Sequence, residues 1–320
     1  MKNFTKVKVI GGIGNQLFVL VFGLAISDKL KTKLIVDDSI IHLGSNKSRK
    51  MEIDNLTFNG FNIEYRRSKL NRLSVFHLEF ITFLHKMFWK VSKLNRNLIF
   101  EDSLSKLQFK FTKGKSFSGY FQDWFYADYI HESNSKFSFD LVDPSINYID
   151  LLNRAEQIKP IFVHVRLGDY LNFPEIYTIL PEYYFLDSLK FLNLNDNSEI
   201  WLFTENYNQA KKYYPELVEQ ADKIINSEGG LSDLESFKLL SKATKLVASN
   251  STFSMWAAWF VNKNGFSAVV PMGFGTKDSG YQLADERWDR YDLETRLIIP
   301  GSKIGSRYLE KKREFLSKFE

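Results

Sequence analysis

From residue 161 to residue 270 short apolar runs alternate with helical stretches, and this alternation narrows the choice of folds more than any other feature of the chain. Residues 161–165, Ile-Phe-Val-His-Val, read as a buried strand. Residues 181–192 read as a helix with Pro181 in its first turn, 200–203 as a strand, and 208–214 as a helix ended by Pro215. Further strands are expected at 223–225, 245–248 and 268–270, with helices at 234–243 and 253–261. Strand-then-helix repetition builds a parallel, doubly wound sheet, which binds ligands beyond the carboxyl ends of its strands.

The first half opens in the same way. Residues 7–10 read as a strand, 11–14 as a glycine turn, 16–30 as a helix and 33–36 as a second strand. An amphipathic helix is expected over 73–94, and aromatic strand-like runs at 109–111 and 117–121. A helical pattern covers 149–158, and Lys159-Pro160 reads as a domain boundary. At 320 residues the chain is long enough for two domains. The expected architecture is therefore α/β: an N-terminal domain over 1–158, a Rossmann-like domain over 159–300, and a basic C-terminal helix over 301–320. The two doubly wound halves are expected to face one cleft.

Lys2, Lys6 and Lys8 precede an uncharged run in the manner of a signal peptide. The glycines at 11, 12 and 14 leave only 17–26 strongly apolar, and a bilayer span needs about 20 such residues. The 73–94 stretch carries Glu79, Lys86, Lys90 and Lys93, so it should not span either. The chain reads as cytoplasmic, with a peripheral position at the inner membrane face. The net charge of +5 is uneven: residues 66–115 hold twelve Lys and Arg against Glu79, Glu101 and Asp102. Such a stretch suits phosphates or an anionic membrane, or is simply a solvated face; nucleic acid is not implied. With no cysteine, disulfides, Cys-ligated zinc, iron–sulfur clusters and thiol catalysis are excluded. The five histidines (His42, His77, His85, His131, His164) include no close pair, so no metal site is expected.

Three loops carry candidate chemistry. Gly-Gly-Ile-Gly-Asn-Gln at 11–16 joins a strand to a helix, where a ligand can meet free amides. Gly12 and Gly14 fit part of a dinucleotide fingerprint, with Asp37 and Asp38 as ribose-binding acids, but the third glycine position is Leu17. A plain tight turn is the other alternative. Asn15 and Gln16 favour a hydroxyl-rich ligand. At 164–170, His-Val-Arg-Leu-Gly-Asp-Tyr puts His164 and Arg166 on one face at a strand end. The guanidinium suits a diphosphate, while a simple Arg166–Asp169 ion pair accounts for the same residues. At 249–254, hydroxyls and amides open a helix and form either an anion site or an ordinary N-cap.

Together these segments, with Gly-Tyr-Phe-Gln at 119–122 and Asn-Ser-Thr-Phe-Ser-Met-Trp-Ala-Ala-Trp at 250–259, resemble the α-1,2-fucosyltransferase family of bacterial O-antigen and blood-group enzymes. The motifs run in order from Lys8 to about Trp288. The resemblance implies a GT-B-type fold and an inverting, metal-independent transfer of fucose from GDP-fucose, a co-substrate rather than a cofactor. The implied acceptor is a galactose-terminated oligosaccharide or lipid-linked glycan. By the same analogy Arg166 holds the β-phosphate, His164 lies beside guanosine, and Asn250, Ser251, Thr252 and Ser254 serve the diphosphate. Asn15 stands near fucose and acceptor, with Gly12, Gly14 and Gln16 among the donor-binding groups. Leu167 stands where the family shows a second arginine, and Phe-Thr-Glu-Asn at 203–206 replaces an Asp-rich pattern. The family's guanine-reading acid falls on Ser236, leaving Asp233 or Glu235 to substitute.

Breaking the sugar–diphosphate bond builds negative charge on GDP, which preorganised donors must stabilise. Many glycosyltransferases use a metal on Asp-x-Asp; this sequence contains none, so Arg166 and the 250–254 turn are expected to take that role. Asp169 is the first candidate for the general base and Glu205 the second. A transferase for another GDP-deoxyhexose, a non-catalytic carbohydrate- or nucleotide-binding protein and a nicotinamide oxidoreductase are the rival functions.

Overall fold

The run that imitates a signal sequence is the central helix of the first domain, Ile13–Leu30, with 78% of it buried. A helix apolar on every side must be enclosed. Gly23 lets it lie close on the sheet, since a β-carbon there would come within 2.8 Å of Val7 and Leu34. The computed structural model describes residues 3–41, 49–58, 60–67, 98–101, 104, 109–133, 137–193, 198–226, 230–273, 283–302 and 306–319. The expected helix over 73–94, and most of the basic stretch 66–115, lie outside these residues.

The chain divides into two units, Met1–Asp140 with Gly305–Glu320, and Leu141–Ile304. In the first, five parallel strands lie in the order Ile63–Arg66, Lys33–Asp37, Phe4–Lys8, Lys115–Ser118, Leu98–Phe100. Phe22 on the central helix stacks on Phe121 at 3.8 Å and meets Phe117 edge-on. The helix Ser306–Ser317 closes this core. Its Phe315 is buried against Phe111, Phe125 and Tyr129, while Lys311 pairs with Asp123. The expected strand at 109–111 is not formed; Leu98–Phe100 pairs instead.

The second unit holds seven strands in the order Lys223–Ile225, Ile200–Thr204, Ile161–Val165, Lys245–Val247, Ser267–Pro271, Asp289–Asp292, Leu297–Ile299. All pairs are parallel except the last. The division between units falls before the helix Ile146–Ile158, not at Lys159-Pro160. The reason is local: Ser145 N–H, at that helix's N-cap, donates to Glu235 at 2.7 Å, and Arg154 pairs with Glu199. Pro215 also differs from expectation. It does end one helix, Tyr207–Tyr213, but it opens another, Pro215–Gln220, from the first-turn position that proline tolerates.

Candidate active site

In each unit the first strand sends the chain to one side of the sheet and later strands fill the other side, and such a change of side opens a crevice beyond the carboxyl ends of the two strands that flank it. In the first unit it lies between Phe4–Lys8 and Lys115–Ser118. The loops leaving those strands are 9–12 and 119–123. Gly11 takes a left-handed φ of 73°, and a β-carbon on it would come within 2.6 Å of the Asn15 amide. Asn15 Oδ1 accepts a 2.7 Å hydrogen bond from Gln122 Nε2, so two distant motifs meet side by side. Gly12 occupies the helix N-cap without a capping side chain. The Arg49 guanidinium stands 3.5 Å from where its β-carbon would be. Neither Arg49 nor Gln122 is among the expected site residues. The 119–122 motif carried a signal for Gln122; no spacing marks Arg49.

Gln16 does not join them. It has no exposed surface: Nε2 donates to Gly11 O and Lys50 O at 2.9 Å, and Oε1 accepts from the N–H of Glu52 and Ile53. All four hydrogen-bonding positions of the amide are spent. Gln16 thus fastens the glycine loop to the segment beside it, and the expectation that it binds donor is corrected. Gly14 is likewise buried in the first turn of the helix.

In the second unit the crevice lies between Ile161–Val165 and Lys245–Val247. Arg166 follows the first of these strands, and the pairing of Val165 with Thr204 sets it beside Glu205. Its Nη2 donates to Asp169 Oδ1 at 2.6 Å, Nη1 pairs with Glu205, and its plane lies over Tyr170. The arginine side chain is 19% exposed, against 43% and 42% for the two acids. Both base candidates and the diphosphate candidate thus form one cluster. Tyr170 then ties the cluster to the opposite loop, its hydroxyl donating to Asn250 O at 3.1 Å.

That opposite loop is more internally bonded than the sequence suggests. Ser251 caps the helix Thr252–Lys263 by accepting from Ser254 N–H, and Ser254 Oγ accepts from Ser249 N–H. Asn250 is fully buried, with Nδ2 donating to Thr178 O. Asn250, Ser251 and Ser254 therefore shape the turn. Thr252, half-buried at the first helical position, is the hydroxyl of the four left at the surface of the helix start.

A sequence-family model described as Glycosyl transferase family 11 matches residues 5–279, which takes in both crevices. The chain belongs to glycosyl transferase family 11. It is 24% identical over 296 residues to an alpha-1,2-colitosyltransferase of Escherichia coli, covering 89% of this chain and 98% of that one. It is also 24% identical over 306 residues to the O-antigen biosynthesis glycosyltransferase WbnK of Escherichia coli, covering 87% and 97%. Among solved structures, the fucosyltransferase NodZ from Bradyrhizobium aligns at 12% identity and a TM-score of 0.47, over 82% of this chain and 94% of that chain.

Glu235, the expected reader of a donor base, spends its carboxylate inside the fold. It completes a capping box with Ser232: Oε2 accepts from the Ser232 N–H and hydroxyl, and Oε1 accepts from Ser145 N–H. Its expected donor contact is corrected to a structural one. Asp233, exposed on the same first turn, is the remaining acid of the pair, and Ser236 is half-buried beside it.

His164 lies one residue inside the strand end, buried, with its ring stacked on Phe253 at 5.1 Å and Nδ1 without a hydrogen-bond partner among the described residues. Burial first, and the Arg166 charge second, push its pKa down to about 3. It is a neutral ring at physiological pH. The unfolded chain takes up a proton at this histidine near its ordinary value of about 6.5, which the folded chain refuses until far lower pH. Its contribution is therefore complete above pH ~6.5 and is lost as pH falls toward 3. His164→Gln is expected to lose less melting temperature than the parent between pH 7 and pH 4. Parallel melting slopes would show that His164 is not held neutral.

Proposed function

We propose that this family 11 chain transfers L-fucose from GDP-fucose, with inversion, to the 2-hydroxyl of a terminal galactoside during assembly of a bacterial surface polysaccharide such as O-antigen. The observation that carries the proposal is Arg166, a forked cation at the carboxyl end of a strand that flanks the crevice, facing the loop before the helix Thr252–Lys263. That position suits a diphosphate leaving group. As the bond between fucose C1 and the β-phosphate oxygen breaks, the electron pair stays with GDP, and the Arg166 fork and the helix-start amides stabilise it. The galactoside O2 bonds to C1 from the opposite face and gives its proton to Asp169. Asn15, steadied by Gln122, orients sugar hydroxyls.

The cationic groups support metal-independent transfer. GDP-fucose incubated with galactose-terminated acceptors in EDTA is expected to yield the α-1,2-linked product at the rate seen without EDTA. Loss of product in EDTA with recovery in manganese would overturn metal independence. A second reading, transfer of another GDP-deoxyhexose, is favoured by the likeness to a chain named alpha-1,2-colitosyltransferase. Turnover with GDP-colitose and none with GDP-fucose would select it. The basic stretch at 66–115 supports a cytoplasmic enzyme working against the anionic inner face of the membrane on a lipid-linked acceptor.

A further inference from the structure

Arg166 directs one terminal nitrogen to Asp169 and the other to Glu205. A diphosphate read by the guanidinium draws on the same terminal nitrogens, so carboxylates and diphosphate compete for one cation. The two acids are not equivalent in this competition. Asp169 lies three residues on, in the same turn Gly168–Asn172, and its pairing is local. Glu205 follows the neighbouring strand and reaches Arg166 across Gly168, where a β-carbon would overlap Oε2 and lie 3.2 Å from the carboxyl carbon. Gly168 is not among the glycines with positive φ. Its backbone therefore suits other residues, and what glycine provides there is room for the Glu205 carboxylate.

We infer that Glu205 is a displaceable stand-in for the donor diphosphate. It holds the Arg166 guanidinium in position through Nη1, yields that nitrogen when the diphosphate arrives, and swings into water. Asp169 keeps its local hold, close to where the acceptor proton must go. Glu205 is then a positioning residue, not the base. At 42% exposure its carboxylate is already largely solvated, so release costs little desolvation, and remaining in place would set like charges together. No bond is made or broken in this exchange. The inference rests on the diphosphate reading of Arg166 and adds what the fork must release before it can bind.

The test is GDP affinity, measured by calorimetry on the full chain for the parent, Glu205→Gln, Gly168→Ala and Arg166→Ala, with melts to confirm folding. Glu205→Gln removes the competing charge. Gly168→Ala keeps the charge but fills its berth, moving only the end of a flexible side chain. Both are expected to bind GDP about tenfold more tightly than the parent, the gain from relieving a like-charge contact. Arg166→Ala is expected to bind at least about tenfold more weakly. If Arg166→Ala weakens binding while neither other variant tightens it, the exchange is overturned and the diphosphate reading stands. Tightening by Glu205→Gln alone would make charge repulsion sufficient and overturn the berth. If Arg166→Ala binds GDP like the parent, the diphosphate reading fails and the exchange falls with it.

Discussion

Arg166→Ala is expected to slow sugar transfer by about 10²–10³ in kcat, the usual cost of losing one preorganised contact to developing charge. Its melting temperature should stay within a few degrees of the parent. The ion pairs it loses are to carboxylates more than 40% exposed, and pairs so solvated contribute ~0–1 kcal/mol. Arg166→Lys should fall between the two, because an ammonium keeps the charge without the fork. Transfer assays beside thermal melts separate the readings. A variant that melts like the parent and transfers sugar at near-parent rate would reduce Arg166 to a surface ion pair.

Gln16→Ala is expected to act in the opposite way, through stability. The substitution strips partners from two carbonyls and two amides in one place, with the bonds to Gly11 O and Ile53 N–H fully buried and the other two partly so. Each buried group left unpaired costs about 1–3 kcal/mol, and partial relaxation brings the total to roughly 3–5 kcal/mol. For a domain of this size that is on the order of 10 °C in melting temperature. Had Gln16 faced the donor, the variant would melt normally and show a raised donor KM. That second pattern would restore the ligand-binding reading.

These two residues also show where sequence ceases to be informative. The position of Arg166 was legible because a strongly apolar strand ends just before it, and parallel strands deliver their carboxyl ends to a crevice. Gln16 was not, because an amide after a glycine turn can face a ligand or the chain, and its partners at 50–53 lie more than thirty residues away. The same distance hides Arg49. The five parallel strands from Ile161 to Pro271 were read almost to the residue, since most of them are runs of buried apolar side chains. The hairpin of Asp289–Asp292 and Leu297–Ile299 was missed because its first strand, Asp-Arg-Tyr-Asp, buries Tyr291 alone. The hydroxyls and amides at 249–254 read as an anion site or as an N-cap, since both call for the same residue types; the serine bonds close on one another, as a cap's do.

The return of Ser306–Ser317 to the first unit makes the second unit an insertion within the first. Synthesis then runs against the usual order of domain completion. The ribosome releases all of Leu141–Ile304 before it releases Phe315 and Phe319, the rings that cover Phe111. At ordinary elongation speeds that delay is on the order of ten seconds. Throughout it the nascent first unit carries an uncovered aromatic face while the second unit can already fold. A chain stalled near residue 300 would present a finished second unit and a first unit whose aromatic face is still open.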